Sequence, residues 1–216
     1  MRKAGAKSNA YYECGVHIHI GADGHDARSL RTLSNIMAGH ESLIVSALGI
    51  SQRRLGHWCR PVDPDFVKRL NAERPKTMAH LADVWYKDYD QYSDRDEHYN
   101  QSRYHMLNLH SVFTKGTIEF RLFQFDRPNP ETGKQGGLHA GQLKAYIQFC
   151  LALSNIAKVN KSASPREPQT ENPKFAMRTW LIRLGFIGDE YKTAREVFTR
   201  RLEGSAAWRF SGPAGL

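Results

Sequence analysis

Hydrophobic and polar residues alternate in two segments of the chain, which is the pattern of β-strands with one buried face. The first segment covers residues 11–20 and is followed by a glycine-containing turn at 21–24. The second covers residues 117–125. A shorter run at 104–109 predicts a third strand, which a tight turn at 114–116 would fold back on the second as a hairpin.

Two longer segments place apolar residues at every third or fourth position, which is the period of an amphipathic helix. Residues 27–48 show this period, with Asp26 as the expected N-cap and Gly49 as the stop signal, and residues 139–158 show it again. Shorter helical patterns lie near 66–70, 77–85, 174–185 and 189–203. This order of elements predicts an α+β fold in which an antiparallel sheet packs against helices.

The chain of 216 residues suits one domain with a sizeable core. We expect a catalytic core over residues 11–158 and a flexible link, rich in proline and polar residues, at 159–173. Residues 174–205 would then form a C-terminal helical segment of the same domain.

Composition narrows the class of protein. The chain is 40% hydrophobic and 25% charged, as in ordinary globular proteins, and no run approaches the ~18 apolar residues of a membrane span. The basic start is not followed by the apolar stretch of a secretory signal. Cys14, Cys59 and Cys150 lie far apart and form no CxxC pair, which suits a reducing compartment. We therefore expect a cytoplasmic protein without a membrane partner.

The formal net charge of +9 leaves two kinds of partner open. A nucleic-acid-binding accessory protein would carry its charge on one face, for which the candidates are Arg28, Arg31, Arg53, Arg54 and Lys68. The positive residues are scattered and form no long run, which disfavours nucleic acid as the partner. A pocket for phosphorylated ligands would make use of the same charge.

The first strand offers two imidazoles on one face. Because side chains alternate, Gly15, His17, His19 and Gly21 share one side of the predicted strand, and Cys14, Val16, Ile18 and Ile20 share the other. Imidazole binds divalent metals and donates to phosphate oxygens. The alternative is a pair of half-exposed histidines on an ordinary amphipathic strand.

The second strand adds a carboxylate and a guanidinium. Thr117, Glu119, Arg121 and Phe123 are expected on one face, opposite apolar Ile118, Phe120 and Leu122. An exposed Glu–Arg pair alone contributes only ~0–1 kcal/mol and needs no function. Two histidines, a glutamate and an arginine on one sheet face, however, have the makeup of a site for a divalent metal and a phosphate. A metal-dependent hydrolase could use the same His, His and Glu to activate water, but it would not need the arginines.

The segment before the second strand completes the candidate site. Arg103 would lie at the mouth of the hairpin, where it could bind phosphate, and Asn108 could bind an amide or hydroxyl of a substrate. The alternative for Asn108 is a hydrogen bond at the side of the turn.

Three stretches in this order resemble the motifs of the amidoligase family, namely Cys14-Gly15-Val16-His17-Ile18-His19-Ile20, Arg103-Tyr104-His105-Met106-Leu107-Asn108-Leu109 and Thr117-Ile118-Glu119-Phe120-Arg121-Leu122-Phe123. The family belongs to the carboxylate–amine ligases related to glutamine synthetase. The resemblance implies a glutamine-synthetase-like catalytic domain that uses ATP and Mg²⁺ or Mn²⁺ to form an amide bond through an acyl phosphate. The stretch 180–190 resembles the end of members linked to bacterial mobile elements.

The resemblance also implies a role for each residue. His17 and Glu119 would bind the metal ion, and His19 and Arg103 would hold the ATP phosphates. Arg121 would bind the transferred phosphate or the substrate carboxylate, and Asn108 would contact a substrate. Glu119, Arg121 and His19 are thus the expected catalytic residues, and the substrates are a small-molecule or peptide carboxylate and an amine.

Family members normally carry an upstream segment whose strands bring further acidic residues to the metals. Only thirteen residues precede Cys14 here, and Glu13 is the one acid among them. The sequence thus predicts a domain incomplete at its N-terminus, in a truncated gene product, a partial domain or a protein that borrows the segment from a partner. We expect such a chain to self-associate and to turn over little on its own. If it is active, Asp23, Glu41 and Asp126 are the first candidates for the missing acids.

Overall fold

The fold is described by a computed structural model for residues 14–126, 131 and 136–208. In these residues three strands form one antiparallel sheet, β1 (Gly15–Gly21), β2 (Leu107–Asn108) and β3 (Thr117–Gln124). The helices of the same residues are α1 (Ala27–Leu48), α2 (Gln52–His57), α3 (Pro64–Glu73), α4 (Met78–Tyr86), α5 (His110–Lys115), α6 (Ala140–Val159), α7 (Pro173–Arg183) and α8 (Lys192–Thr199). The α+β class is confirmed, while the glutamine-synthetase-like detail stays a prediction. Residues 11–13 of the predicted first strand, with Glu13, lie outside the described residues.

The central strand of the sheet is β3, which has β1 on one side and the short β2 on the other, both antiparallel to it. Helix α6 packs on β1, and α1 packs along α6. The apolar side chains of the sheet and of α6 meet in one core that includes Ile18, Phe120, Phe149 and Leu153. The opposite face of β1 carries His17 and His19, which are exposed.

A β-bulge interrupts the pairing of β1 with β3. Val16 lies opposite Phe123 and Ile18 lies opposite Phe120, so the single residue His17 faces two residues of β3, Arg121 and Leu122. The extra residue reverses the alternation beyond it. Phe123 therefore joins the core face, where its ring stacks on Tyr146 of α6 at 4.4 Å. The prediction that Phe123 shares the face of Glu119 is wrong, because strict alternation does not hold across a bulge.

A buried arginine donates hydrogen bonds to the backbone carbonyl oxygens of this bulge. Arg54 of α2 is 2% exposed and donates to the carbonyl oxygens of Arg121 (2.9 Å) and Leu122 (3.2 Å). It also donates to the side-chain oxygen of Gln124 at 3.0 Å. A Cβ atom at Gly15 would lie 2.7 Å from the Arg54 guanidinium, so a side chain at this position would displace Arg54 from its hydrogen bonds. Arg54 is therefore not available for the basic nucleic-acid-binding surface considered above, because its side chain points into the protein.

Local signals located the long helices well. The Asp26 carboxylate accepts from the Ser29 amide at 2.7 Å as an N-cap of α1, and Gly49 ends this helix with φ 61°. Helix α6 begins at Ala140, with His139 as its N-cap.

The predicted strand at 104–109 and turn at 114–116 need correction. Only Leu107–Asn108 pairs as a regular strand with β3, because Tyr104 and Met106 share backbone hydrogen bonds with Arg60 and Met106 keeps only one bond to β3, from the Arg121 amide. Helix α5 replaces the tight turn, and Gly116 ends it with φ 65°. Helix α2 was not predicted at all.

The predicted link, residues 159–173, contacts α1 through its middle part. The Asn35 side chain donates to the carbonyl oxygen of Ala163 at 3.1 Å, and the Ser42 hydroxyl donates to Glu167 at 2.9 Å. Gly39 of α1 lies so close to this segment that a Cβ atom there would be 2.9 Å from the Ser164 carbonyl oxygen. The division of the chain into a core, a link and a C-terminal segment stays a prediction.

Glu41 of α1 should make stability depend on pH. Burial raises its pKa to about 7, although the Val62 amide donates to its carboxylate. The folded protein thus retains a proton that the unfolded chain releases near pH 4.5. The stabilising effect of this proton is full below pH 4.5 and is lost as the pH rises toward 7.

Glu41→Gln imitates the protonated form, so the variant should gain ~1–2 kcal/mol over the wild type between pH 4.5 and 8. Urea unfolding of both proteins at pH 5 and pH 8 measures this gain. The half-buried His25 and the buried His105 titrate alike in both proteins and cancel from the difference. Parallel pH profiles would contradict a raised Glu41 pKa.

Within the described residues, every helix is too short or too polar to span a bilayer.

Candidate active site

The carboxylate of Glu119 is the centre of a polar cluster on the sheet. Its Oε1 atom lies 2.7 Å from Arg121 Nη1, 3.1 Å from His17 Nδ1 and 3.4 Å from His19 Nε2. Its Oε2 atom accepts a hydrogen bond of 2.6 Å from the Asn108 side-chain amide. Five of the six predicted site residues therefore meet around one carboxylate.

The register of the three strands explains this convergence. Glu119 lies directly opposite His19 of β1 and directly opposite Asn108 of β2. Cross-strand partners share a sheet face. The bulge then places Arg121 beside His17, with 3.5 Å between Arg121 Nη1 and His17 Nδ1.

The cluster is buried at its base and open at its top. The Glu119 and Arg121 side chains are 3% and 5% exposed, whereas those of His17 and His19 are 37% and 38% exposed. A ligand that approaches the sheet thus meets the imidazoles first and the ion pair beneath them.

Glu119 is ionised at neutral pH. Burial by itself would raise the pKa of this carboxyl group, but the hydrogen bond from His17 and the charge of Arg121 outweigh burial. The Asn108 hydrogen bond and the charge of His19 act in the same direction, so the pKa lies well below its ordinary value.

Burial lowers the pKa of His19, although the charge of Glu119 opposes this shift, so the neutral ring is favoured at neutral pH. Its Nε2 atom faces a carboxylate, which can only accept a hydrogen bond, so Nε2 carries the proton. Its Nδ1 atom then accepts from the Thr117 hydroxyl at 3.1 Å. Thr117 in turn contacts the Ser111 hydroxyl at 3.0 Å. This chain of contacts fixes the ring on the open face.

Positive charge exceeds negative charge around the cluster. The guanidinium of Arg54 bonds the backbone of Arg121, and no carboxylate pairs with it among the described residues. Arg121 pairs with Glu119, and the Arg54 guanidinium behind the Arg121 backbone adds a second positive charge. Such an excess favours an anionic ligand.

Arg103 does not contact Glu119 and lies next to the cluster on the far side of Tyr104. It donates to the His98 carbonyl oxygen at 2.5 Å, and its guanidinium lies 5.3 Å from the ring of Tyr99 and 5.8 Å from that of Tyr104. The Tyr104 ring also contacts Arg121 at 5.5 Å, and so connects Arg103 with the cluster. Its predicted role in phosphate binding stays a prediction.

Asn108 is 1% exposed, and its one described contact is with Glu119. Its amide oxygen is buried without a hydrogen-bond partner in the described part of the chain. The amide group of Asn108 therefore orients the Glu119 carboxylate, while its oxygen is still able to accept a hydrogen bond. Its predicted contact with a substrate stays a prediction.

The donors of the cluster fit a divalent cation only in part. His17 Nδ1 and Glu119 Oε1 are 3.1 Å apart, which is close to the spacing of neighbouring ligands in an octahedral shell with bonds of ~2.1 Å. However, Arg121 already binds the same oxygen, and no group of three or more His, Cys, Asp or Glu side chains in the described residues could hold a metal. A cation here would need oxygen ligands from a bound phosphate.

The other acids named from the sequence are not gathered at the cluster. Glu41 accepts from the Val62 amide, and Asp126 pairs with Arg200 and Arg201 near α8. Asp23 is exposed in the turn after β1.

Three residues near the cluster were missed, namely Arg54, Trp58 and Tyr104. Trp58 presents its backbone oxygen to Arg121 Nε at 3.4 Å, and its ring lies 5.8 Å from that of Tyr104. Tyr104 belongs to the second motif and could have been considered. Arg54 and Trp58 carry no local signal, because contacts distant in sequence bring them to the site.

Comparison with known proteins supports the family resemblance of the three motifs. Residues 1–154 match the protein family described as "Putative amidoligase enzyme", which covers all three motifs and the cluster. The comparisons with curated proteins and with solved structures returned no match. The match extends over 154 of the 216 residues, and the chain belongs to the amidoligase family of ligases.

Proposed function

We propose that the chain catalyses ATP-dependent joining of a carboxylate to an amine through an acyl phosphate. The observation that carries the proposal is the arrangement around Glu119, an ionised carboxylate held by Arg121 and Asn108 beneath two accessible imidazoles. This arrangement suits an anionic ligand that arrives from the open face.

The chemistry brings two anions together. The substrate carboxylate attacks the γ-phosphorus of ATP, an O–P bond forms, and ADP leaves. The amine then attacks the acyl carbon to form the C–N bond, phosphate leaves with the electrons of the C–O bond, and the proton lost by the amine nitrogen passes to phosphate or water. Arg121 and the imidazole N–H groups would offset the repulsion in the first step and would stabilise the developing charge.

A divalent ion, Mg²⁺ or Mn²⁺, would supply further positive charge to the phosphates. His17 and Glu119 are the residues that would bind it, together with phosphate oxygens of the nucleotide. Because Arg121 already neutralises part of Glu119, we expect the ion to bind with ATP and only weakly by itself.

The hydrolase alternative fits the cluster less well. Water activation would need only the imidazoles and the carboxylate, whereas the guanidinium of Arg121 lies 2.7 Å from Glu119 Oε1. Arg103 and Arg121 would also have no role in hydrolysis.

The substrates are proposed by class only, as a small-molecule or peptide carboxylate and an amine. We also propose that the chain forms a homo-oligomer. Nucleic acid is not needed as a partner for this chemistry.

Titration calorimetry tests the proposal at the binding step. We expect ATP to bind in the presence of Mg²⁺, AMP to bind at least tenfold more weakly because it lacks the β- and γ-phosphates, and MgCl₂ alone to give little heat. Phosphate release from ATP should then require both a carboxylate and an amine in a screen of amino acids and short peptides. Equal affinity for ATP and AMP, or no binding of either, would overturn the proposal.

A further inference from the structure

An exposed aromatic ring lies beside the cluster and takes no part in the functions described above. Trp58 follows the last turn of α2 and is 52% exposed, although most large apolar rings of this chain are buried. Its indole meets the Tyr104 ring edge-on at 5.8 Å. Together these rings form an aromatic patch, defined here as Trp58 and Tyr104.

The backbone holds the patch firmly against the sheet. The Arg60 amide donates to the Tyr104 carbonyl oxygen at 2.9 Å, and the Met106 amide donates to the Arg60 carbonyl oxygen at 2.8 Å. The Arg121 amide donates to the Met106 carbonyl oxygen at 2.8 Å. Residues 58–60, 104–106 and the bulged end of β3 thus lie side by side, so the rings have a fixed place relative to Arg121.

Arg121 belongs to both the aromatic patch and the polar cluster. Its guanidinium carbon lies 5.5 Å from the centre of the Tyr104 ring, and its Nη1 atom lies 2.7 Å from Glu119 Oε1. Its Nε atom also bonds the Trp58 backbone oxygen at 3.4 Å. A ligand with an anionic end at Arg121 and His19 would therefore have the exposed Trp58 ring and the Tyr104 ring close to its other end.

We propose that the aromatic patch binds the adenine base of the nucleotide whose phosphates reach Arg121 and His19. This inference rests on the proposed function, since it takes ATP as a substrate. A purine stacks on aromatic rings and near guanidinium planes, and stacking does not require a particular set of hydrogen-bond partners. The pairing of such a surface with a cationic site matches the two ends of a nucleotide.

The test compares two ligands that share phosphates but not a base. Trp58→Ala should weaken ATP binding about tenfold or more in the presence of Mg²⁺, while the affinity for inorganic triphosphate stays within about twofold of the wild type. Trp58→Phe keeps a ring, so its ATP affinity should lie between those of the wild type and Trp58→Ala. Trp208→Ala is the matched control, because Trp208 is 63% exposed and is not part of the patch. Thermal unfolding of each variant verifies that it is folded.

The outcomes separate the inference from the function on which it rests. If wild-type protein binds neither ATP nor triphosphate, the proposed function fails and the inference fails with it. If Trp58→Ala binds ATP like the wild type, the inference is wrong while the proposed function stands. An equal loss of ATP and triphosphate affinity would mean that Trp58 acts by placing Arg121, which also overturns it. Unchanged ATP affinity with loss of amine-dependent phosphate release would assign the patch to the acceptor substrate instead.

Discussion

Glu119→Gln is expected to lower Mg²⁺-dependent ATP binding and amine-dependent phosphate release by on the order of 100-fold. A neutral amide cannot offset the charge of a cation beside Arg121. It also weakens the contacts that hold the His17 and His19 rings, because an amide oxygen carries less negative charge than a carboxylate oxygen. Calorimetry and a phosphate-release assay on both proteins measure the two effects. Wild-type ATP affinity in the variant would remove Glu119 from the metal site.

The glutamine variant should remain folded, and Asn108 provides the reason. The new amide oxygen can still accept from Arg121, and its NH₂ group can donate to the Asn108 oxygen if that amide turns over. This oxygen has no partner in the described residues. Glu119→Ala, in contrast, leaves the Arg121 guanidinium unpaired and should cost about 3–5 kcal/mol of unfolding free energy. Glu203→Gln is the control, because Glu203 is an exposed acid outside the cluster.

Arg54→Met should destabilise the protein by about 2–4 kcal/mol. Methionine fills a similar volume but donates nothing, so the buried carbonyl oxygens of Arg121 and Leu122 lose their hydrogen bonds. Relief of the desolvation of a buried cation recovers part of this cost. Urea unfolding measures the difference. Phosphate release should fall as well, because the backbone of Arg121 is no longer held.

Arg53→Met is the matched control for this prediction. Arg53 is the preceding residue of the same helix and is exposed, so its substitution should change stability by no more than about 0.5 kcal/mol. An Arg54→Met variant as stable as the wild type would show that the carbonyl oxygens of the bulge find another donor.

The chemical groups of the site could be predicted from the sequence more completely than the backbone geometry that positions them. Alternation placed His17 and His19 on one face, and the motifs brought Glu119 and Asn108 into consideration before their distances were known. Both are encoded locally, since a strand needs only its own side chains to present one face. Caps at Asp26 and Gly49 located α1 for the same reason.

What could not be predicted depends on contacts between distant segments. The bulge in β3 forms because Arg54, 67 residues before Arg121, supplies donors for two carbonyl oxygens. Residues 104–106 leave the predicted strand because Arg60 pairs with them. Trp58 reaches the site through the same pairing. No local pattern indicates such partners, so the sequence predicts the centre of the site but not its edge.

The bulge also restricts how the length of β3 can change. Removal of Leu122 would leave Phe123 opposite Val16 and restore regular pairing, so the sheet itself tolerates a shorter strand. The Arg54 guanidinium would then face one carbonyl oxygen where it now faces two. Between Glu119 and Phe123 the number of residues is therefore as constrained as their identity, and an insertion or deletion there should be as damaging as the loss of a charged side chain.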